Sequence, residues 1–258
     1  MRKLLFFFCL VSFGLSAQDG LKNSLKVNAA GALTGIISVQ YERMLTPNWS
    51  FNSTFFYRKK SQIPLGTQFD KLAKKHSLGL TGVDFEYIFV DLAQIGVKGY
   101  SPEIRRYFGY KDNRWFVGLF GQFEDFDANI PASLEARYDG QIYTLDKVPI
   151  NFDIRTISGG LLVGKQFRFG ERLSLDLVII GPHFGKARKV YAAVETSILS
   201  RLNEGDRLFL RDKIIERFRL SDEYFDVTVG DEKAEINAFK KVPYLGIRGV
   251  GLNVGFSF

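Results

Sequence analysis

Few residues in this 258-residue chain carry side chains suited to catalysis: two histidines, His76 and His183, and one cysteine, Cys9. Neither histidine stands at metal-ligand spacing from a second histidine or a carboxylate, so no metal or cofactor is expected, and no catalytic residue is assigned. Gly249-Val250-Gly251 and Gly255 are not followed by a helix, so their amides have no phosphate-binding geometry to complete. What remains is a set of charged residues on alternating segments: Glu42, Glu103, Arg105, Glu124 and Asp176. Each sits on the polar side of its segment, and acids and arginines turned into a common interior must pair to offset desolvation. The chemistry expected of them is a polar network inside a closed sheet.

The elements that must position this set are strands. Val250, Leu252, Val254, Phe256 and Phe258 alternate with glycine, asparagine and serine up to the terminal phenylalanine. One face is therefore apolar and the other small and polar. Similar alternation runs through Leu25–Leu33, Ile37–Arg43, Trp49–Tyr57, Gly99–Phe108, Trp115–Phe126, Ile154–Phe167, Leu173–His183 and Tyr244–Phe258. Thr46-Pro47-Asn48, Gly109–Asn113 and Gly170-Glu171-Arg172 read as short turns. The stretches 58–96, 127–151 and 184–243 read as long connections. Tyr87–Val97 is apolar enough to extend the fourth strand or add a hairpin, which leaves ten strands open as an alternative to about eight. Within the last connection, Ile198, Leu202, Leu208, Ile215 and Phe218 recur near helical spacing, interrupted at Gly205. An amphipathic helix capping one mouth of the closed sheet, or a ligand-recognition element, is expected there.

At the other end, Met1-Arg2-Lys3 precedes an apolar run from Leu4 to Leu15, and Gly14, Ser16 and Ala17 supply small residues for cleavage. Residues 1–17 are expected to be a signal peptide, leaving one domain over 18–258. Cys9 falls in that run, so the exported chain is expected to have neither a disulfide nor a lipid anchor. Loss of Arg2 and Lys3 leaves 33 basic against 28 acidic side chains. The basic residues are scattered among acids with no recognition motif, which excludes nucleic acid as a partner. Mean hydropathy is −0.04. No other run approaches the roughly 20 apolar residues of a membrane helix, so any crossing must use strands. The 25 phenylalanines and 25 glycines suit strands, turns and aromatic girdles.

Lys26-Val27-Asn28, the Ser38-Val39-Gln40-Tyr41-Glu42-Arg43 strand before Pro47-Asn48-Trp49, the Pro102-Glu103-Ile104-Arg105-Arg106-Tyr107 segment and Phe258 resemble small outer-membrane β-barrel proteins of diderm bacteria. The likeness is to an uncharacterised exported group with an OmpA/OmpX-like barrel, although Arg106 is inserted before the tyrosine of that segment. The resemblance implies an all-β, transmembrane, antiparallel up-and-down barrel of about eight strands in the outer membrane. Its short turns and both termini would be periplasmic and its long loops extracellular. It implies no activity. It also implies recognition of the last strand, including Val254, Phe256 and Phe258, by the barrel-insertion machinery. Lipid-A deacylases built on such barrels carry a serine shortly after a histidine, whereas His183 is followed by Phe184-Gly185-Lys186, so a rim or girdle histidine is expected. Arg58-Lys59-Lys60, Lys71–Lys75 and Lys186–Lys189 would fall at the external rim, either neutralising lipopolysaccharide phosphates or standing as solvated loop charge. The expected function is a monomeric, non-enzymatic envelope protein acting structurally or through its loops, in contact with outer-membrane lipids and lipopolysaccharide. A lipid-A-modifying enzyme, a small porin and a soluble periplasmic carrier are the alternatives.

Overall fold

The computed structural model describes residues 21–62, 64, 66–68, 71, 89–110, 112–138 and 140–258. The expected signal peptide, His76 and most of the Lys71–Lys75 cluster lie outside the described residues. So do residues 87 and 88 of the apolar Tyr87–Val97 stretch, whose remainder forms a 3-10 turn at Val90–Leu92 and the start of a strand.

Eleven strands are present among the described residues, in one antiparallel sheet: β1 (Asn23–Asn28), β2 (Ile37–Thr46), β3 (Trp49–Gln62), β4 (Gln94–Tyr110), β5 (Asn113–Tyr138), β6 (Gln141–Phe169), β7 (Leu173–Glu195), β8 (Phe225–Val229), β9 (Lys233–Ala238), β10 (Val242–Arg248) and β11 (Gly251–Ser257). Strands β1 to β7 pair with their sequence neighbours, and β11 pairs with both β1 and β7. Eight strands therefore close into a ring. The closure reaches the last residue, whose amide donates to the Asn23 carbonyl at 2.8 Å. The turns after β2, β4 and β7's predecessor β6 are short, and they share one end of the ring with Asn23 and Phe258.

Several sequence expectations change here. The alternation of Leu25–Leu33 does not hold as a strand: the Asn28 side chain accepts from the Gly31 amide at 2.8 Å and starts a short helix, α1 (Ala29–Leu33). The 127–151 connection is not a loop. β5 and β6 run on as a hairpin, paired from Asn129↔Asn151 to Tyr138↔Gln141, well past the ring. Tyr244–Phe258 is two strands on one track along β7, interrupted at Gly249-Val250. The facing reverses across that break: Leu245 and Ile247 point out of the ring in β10, as do Val254 and Phe256 in β11, so odd positions face out before it and even ones after it.

Beyond the ring, the long ends of β5, β6 and β7 join the β8–β9 hairpin in a sheet extension. Helix α2 (Glu204–Phe218) packs on it. Asn203 caps the helix by accepting from the Asp206 amide at 2.9 Å, which is why Gly205 falls in the first turn and does not interrupt it. Leu210 and Ile214 meet Leu134, Ile150, Val194 and Val227 in an apolar core. The expected helix is thus present, but it covers the extension. On β5 the even positions face inward in the ring, and Ala132, Leu134 and Ala136 continue the same face under α2. None of the described helices is long and apolar enough to cross a membrane.

Candidate functional site

The most concentrated chemistry lies inside the ring. Strand alternation turns Glu42 (β2), Glu103 and Arg105 (β4) and Asp176 (β7) to a common interior, with Arg105 and Asp176 0% exposed. Arg105 donates to Glu103 and, through Nη1, to Asp176 Oδ2 at 2.7 Å. Lys26 joins them from β1, with Nζ 2.5 Å from Asp176 Oδ2 and 2.6 Å from Glu42 Oε2. The remaining acceptor sites are also used. Ser50 donates to Glu42 Oε1 at 2.6 Å, the Tyr107 hydroxyl donates to the same carboxylate, and Gln166 donates to Asp176 Oδ1 at 2.9 Å.

Four of the five charged residues singled out from the sequence are in this network. Glu124 stands apart nearer the extension, half-buried, and accepts from Gln122 at 2.6 Å and Thr156 at 3.2 Å. Several further members were not singled out from the sequence. Lys26 was visible as the polar residue between Leu25 and Val27. Arg248 reaches Glu103 Oε2 at 3.3 Å from β10, and its inward position depends on the facing reversal at Gly249-Val250. Arg114 donates to Gln166 Oε1 at 2.7 Å and stacks 4.2 Å over Tyr107, while Arg105 lies 4.3 Å over Phe116. Inward Phe116 was hidden because Trp115 and Val117 on either side are also apolar.

Gly255 explains how Lys26 crosses the ring. A Cβ there would stand 2.8 Å from Lys26 Cγ and 2.6 Å from Ser174 Oγ, so a side chain would block the path of the lysine. The outer face is the inverse of this interior. Leu119 is 63% exposed and Leu161 56%, and Leu25, Val27, Ile104, Val254, Phe256 and Phe258 are exposed beside them.

His183 is not at the rim. It is buried in the interior, between the rings of Phe120 and Tyr244, both 5.7 Å away. A hydroxyl that sequence spacing did not reveal comes from the neighbouring strand: Ser158 Oγ is 2.9 Å from His183 Nδ1. This is a serine–imidazole pair, but both residues are buried, and neither lines the surface groove on the outer face.

The basic clusters also sit differently from expectation. Arg58 is buried and donates to the carbonyls of Thr34 (3.0 Å), Ile95 (2.5 Å) and Gln62 (2.7 Å), tying α1 to the ends of β3 and β4. Lys186, Arg188 and Lys189 belong to strand β7 and not to a loop. In the extension, the hydrogen bond from Tyr191 to Glu235 raises the tyrosine's pKa, while donation from Lys233 and Tyr191 lowers that of Glu235.

No curated protein matches this chain. A family model described as "Protein of unknown function (DUF3575)" matches residues 61–204, which run from the end of β3 through β4–β7 to the first residue of α2. That span is more than half of the chain, which therefore belongs to the DUF3575 family of proteins of unknown function.

Proposed function

We propose that the protein is a non-enzymatic outer-membrane β-barrel whose extension acts at the cell surface, structurally or by presenting its surface to ligands. The observation that carries this reading is the inverted polarity of the ring: a paired ionic interior inside an outer face of exposed leucine, valine, isoleucine and aromatic side chains. In water that arrangement would bury charge at a cost and expose a broad apolar surface at a further cost; in a bilayer both faces match their surroundings.

The dimensions support the same reading. Trp115 and Phe123 bound the outward apolar part of β5, eight residues apart, or ~27 Å along the strand. A strand tilt of 35–45° reduces this to ~20 Å of height, close to the apolar band of such barrels. At the short-turn end, Trp49, Phe108 and Trp115 provide an aromatic girdle, and Arg106 and Lys165 lie within 5.6 Å of its rings. The short turns would be periplasmic, and the extension with α2 extracellular. In this reading Val254, Phe256 and Phe258 present the outward face that the insertion machinery recognises.

The interior network fills the space that a channel would need, so a porin role is not favoured. The buried Ser158–His183 pair lacks the access that an acyl-transfer site requires, which also disfavours a lipid-modifying enzyme. The test is fractionation of cells expressing the full chain. Recovery in the outer-membrane fraction, with extraction only by detergent, is expected; a soluble, folded, monodisperse protein without detergent would overturn the reading.

A further inference from the structure

The register of the strands places two rows of side chains next to each other on the outer face. One row runs Val39↔Phe55↔Tyr100↔Phe123↔Ile157 across β2 to β6. Phe55 and Tyr100 have ring centroids 4.7 Å apart, and Tyr100 and Phe123 6.3 Å apart. The second row lies two residues nearer the extension and runs Tyr57↔Lys98↔Asp125↔Arg155↔Lys189 across β3 to β7. Between and around them is an open groove of about 920 Å³.

The charges of this groove do not cancel. Asp125 is shared by Lys98 at 3.3 Å and Arg155 at 3.5 Å, and Lys189 pairs with Asp153. Arg188, also in the lining, has no ion pair among the described residues. Four cations thus face two carboxylates, leaving about two positive charges directly above an aromatic floor. Glu124 is also in the lining, but its even position on β5 belongs to the inward set, and its carboxylate accepts from Gln122 and Thr156. Below the floor, Gly121 and Gly159 leave the outer face without side chains. A Cβ at either would meet nothing closer than 3.5 Å, so the hollow has room for a chain to pass.

We infer that this groove binds an anionic acyl lipid, with its phosphate among Lys98, Arg155, Arg188 and Lys189 and its chains along Phe55, Tyr100 and Phe123. The charge complements a phosphate monoester, which carries −1.5 to −2 near neutrality. Arginine adds a planar fork suited to phosphate oxygens. An aqueous anion would gain nothing from the aromatic row, whereas an acyl lipid uses both rows at once. This inference rests on the membrane reading above.

The test uses the full chain purified in detergent and titrated by native mass spectrometry with phosphatidic acid, phosphatidylcholine or inorganic phosphate. Phosphatidic acid is expected to bind more tightly than the other two. The Arg155→Gln/Lys189→Gln variant should lose about thirtyfold of that affinity, as expected for two removed charges near a lipid surface, and keep its phosphatidylcholine binding. Lys165→Gln/Arg172→Gln, at the opposite end of the ring, should lose none. Equal affinity for the two lipids, or equal losses in the two variants, would overturn the inference and leave the membrane reading standing. Phosphate binding as tight as that of the lipid would overturn the lipid assignment. A chain that stays folded and monodisperse without detergent would overturn both readings.

Discussion

Lys26 and Asp176 are 150 positions apart in sequence and 2.5 Å apart in space. The lysine comes from the first strand of the ring and the aspartate from the seventh, and β11 runs between them, so the ion pair spans the seam where the sheet closes. Its consequences can be measured separately from those of the backbone pairing.

Replacing Asp176 by leucine removes an acceptor from Lys26, Arg105 and Gln166 together. The expected cost is about 3–5 kcal/mol, typical of stranding buried charge. Lys26 keeps Glu42 as a partner, but the network is left with one excess cation; adding Lys26→Met removes that excess, at the cost of the Lys26–Glu42 pair, and should recover part of the loss. Urea unfolding in a fixed detergent, followed by tryptophan fluorescence, compares the two. A double variant less stable than Asp176→Leu would show that the Lys26–Glu42 pair outweighs the relief of the excess cation.

The outward face supplies a second prediction. Arginine at Leu119, in the middle of β5's outer row between Ile104 and Leu161, should reduce the membrane-inserted fraction by an amount corresponding to about 2–4 kcal/mol. The same change at Phe258 should cost less, since it lies at the short-turn end of the ring. Phe256→Asp and deletion of Phe258 should slow assembly. Heat-modified and unmodified gel bands give the inserted fraction of each. Wild-type levels in every variant would mean that this face does not meet lipid.

Conductance tests the filled interior. In planar bilayers the wild-type chain is expected to show no stable, large single-channel opening, because Arg105, Phe116, Tyr107 and Asp176 occupy the lumen. A reproducible large conductance would favour a porin function.

The extension should respond independently of the ring. Ile214→Ala removes a buried contact between α2 and the extended sheet, at a cost of about 2–5 kcal/mol for a site of this kind. Asn203→Ala removes the helix cap, at about 1 kcal/mol. Both should expose residues 196–224 to limited proteolysis while the ring's heat modifiability is unchanged. Loss of ring folding in either variant would show that the two parts form one cooperative unit.

How much of this was legible in the sequence depended on whether alternation was visible. In Ile37–Glu42 of β2 and in β11, apolar residues alternate strictly with polar residues or glycine, so the inward positions of Glu42 and Asn253 follow directly from parity. In β5, Trp115, Phe116 and Val117 are all apolar, and nothing in their types identifies Phe116 as the inward one. Arg248 has the parity of outward Val250 and Leu252, and only the break at Gly249-Val250 turns it inward. The β5–β6 hairpin was missed because Asp127, Asn129, Pro131, Asp146 and Pro149 resemble loop composition. They are accommodated because these strands continue beyond the ring, with Pro131 placed opposite Pro149. Helical spacing indicated α2 but not the surface that it covers. The Ser158–His183 pair depends on the register between two strands and therefore has no signal in local spacing.

Strands β5, β6 and β7 each run from the ring into the extension, with register shifts at Ala132/Leu134 and Arg155/Thr156. Each residue of that protruding sheet surrendered about 1 kcal/mol of backbone entropy when the chain folded. A molecule that binds the α2-covered sheet meets a surface already rigid, so its own ordering is the main entropic cost of association. Flexible surface loops would impose that cost on every encounter. The three long strands tie the extension to the ring through continuous backbone.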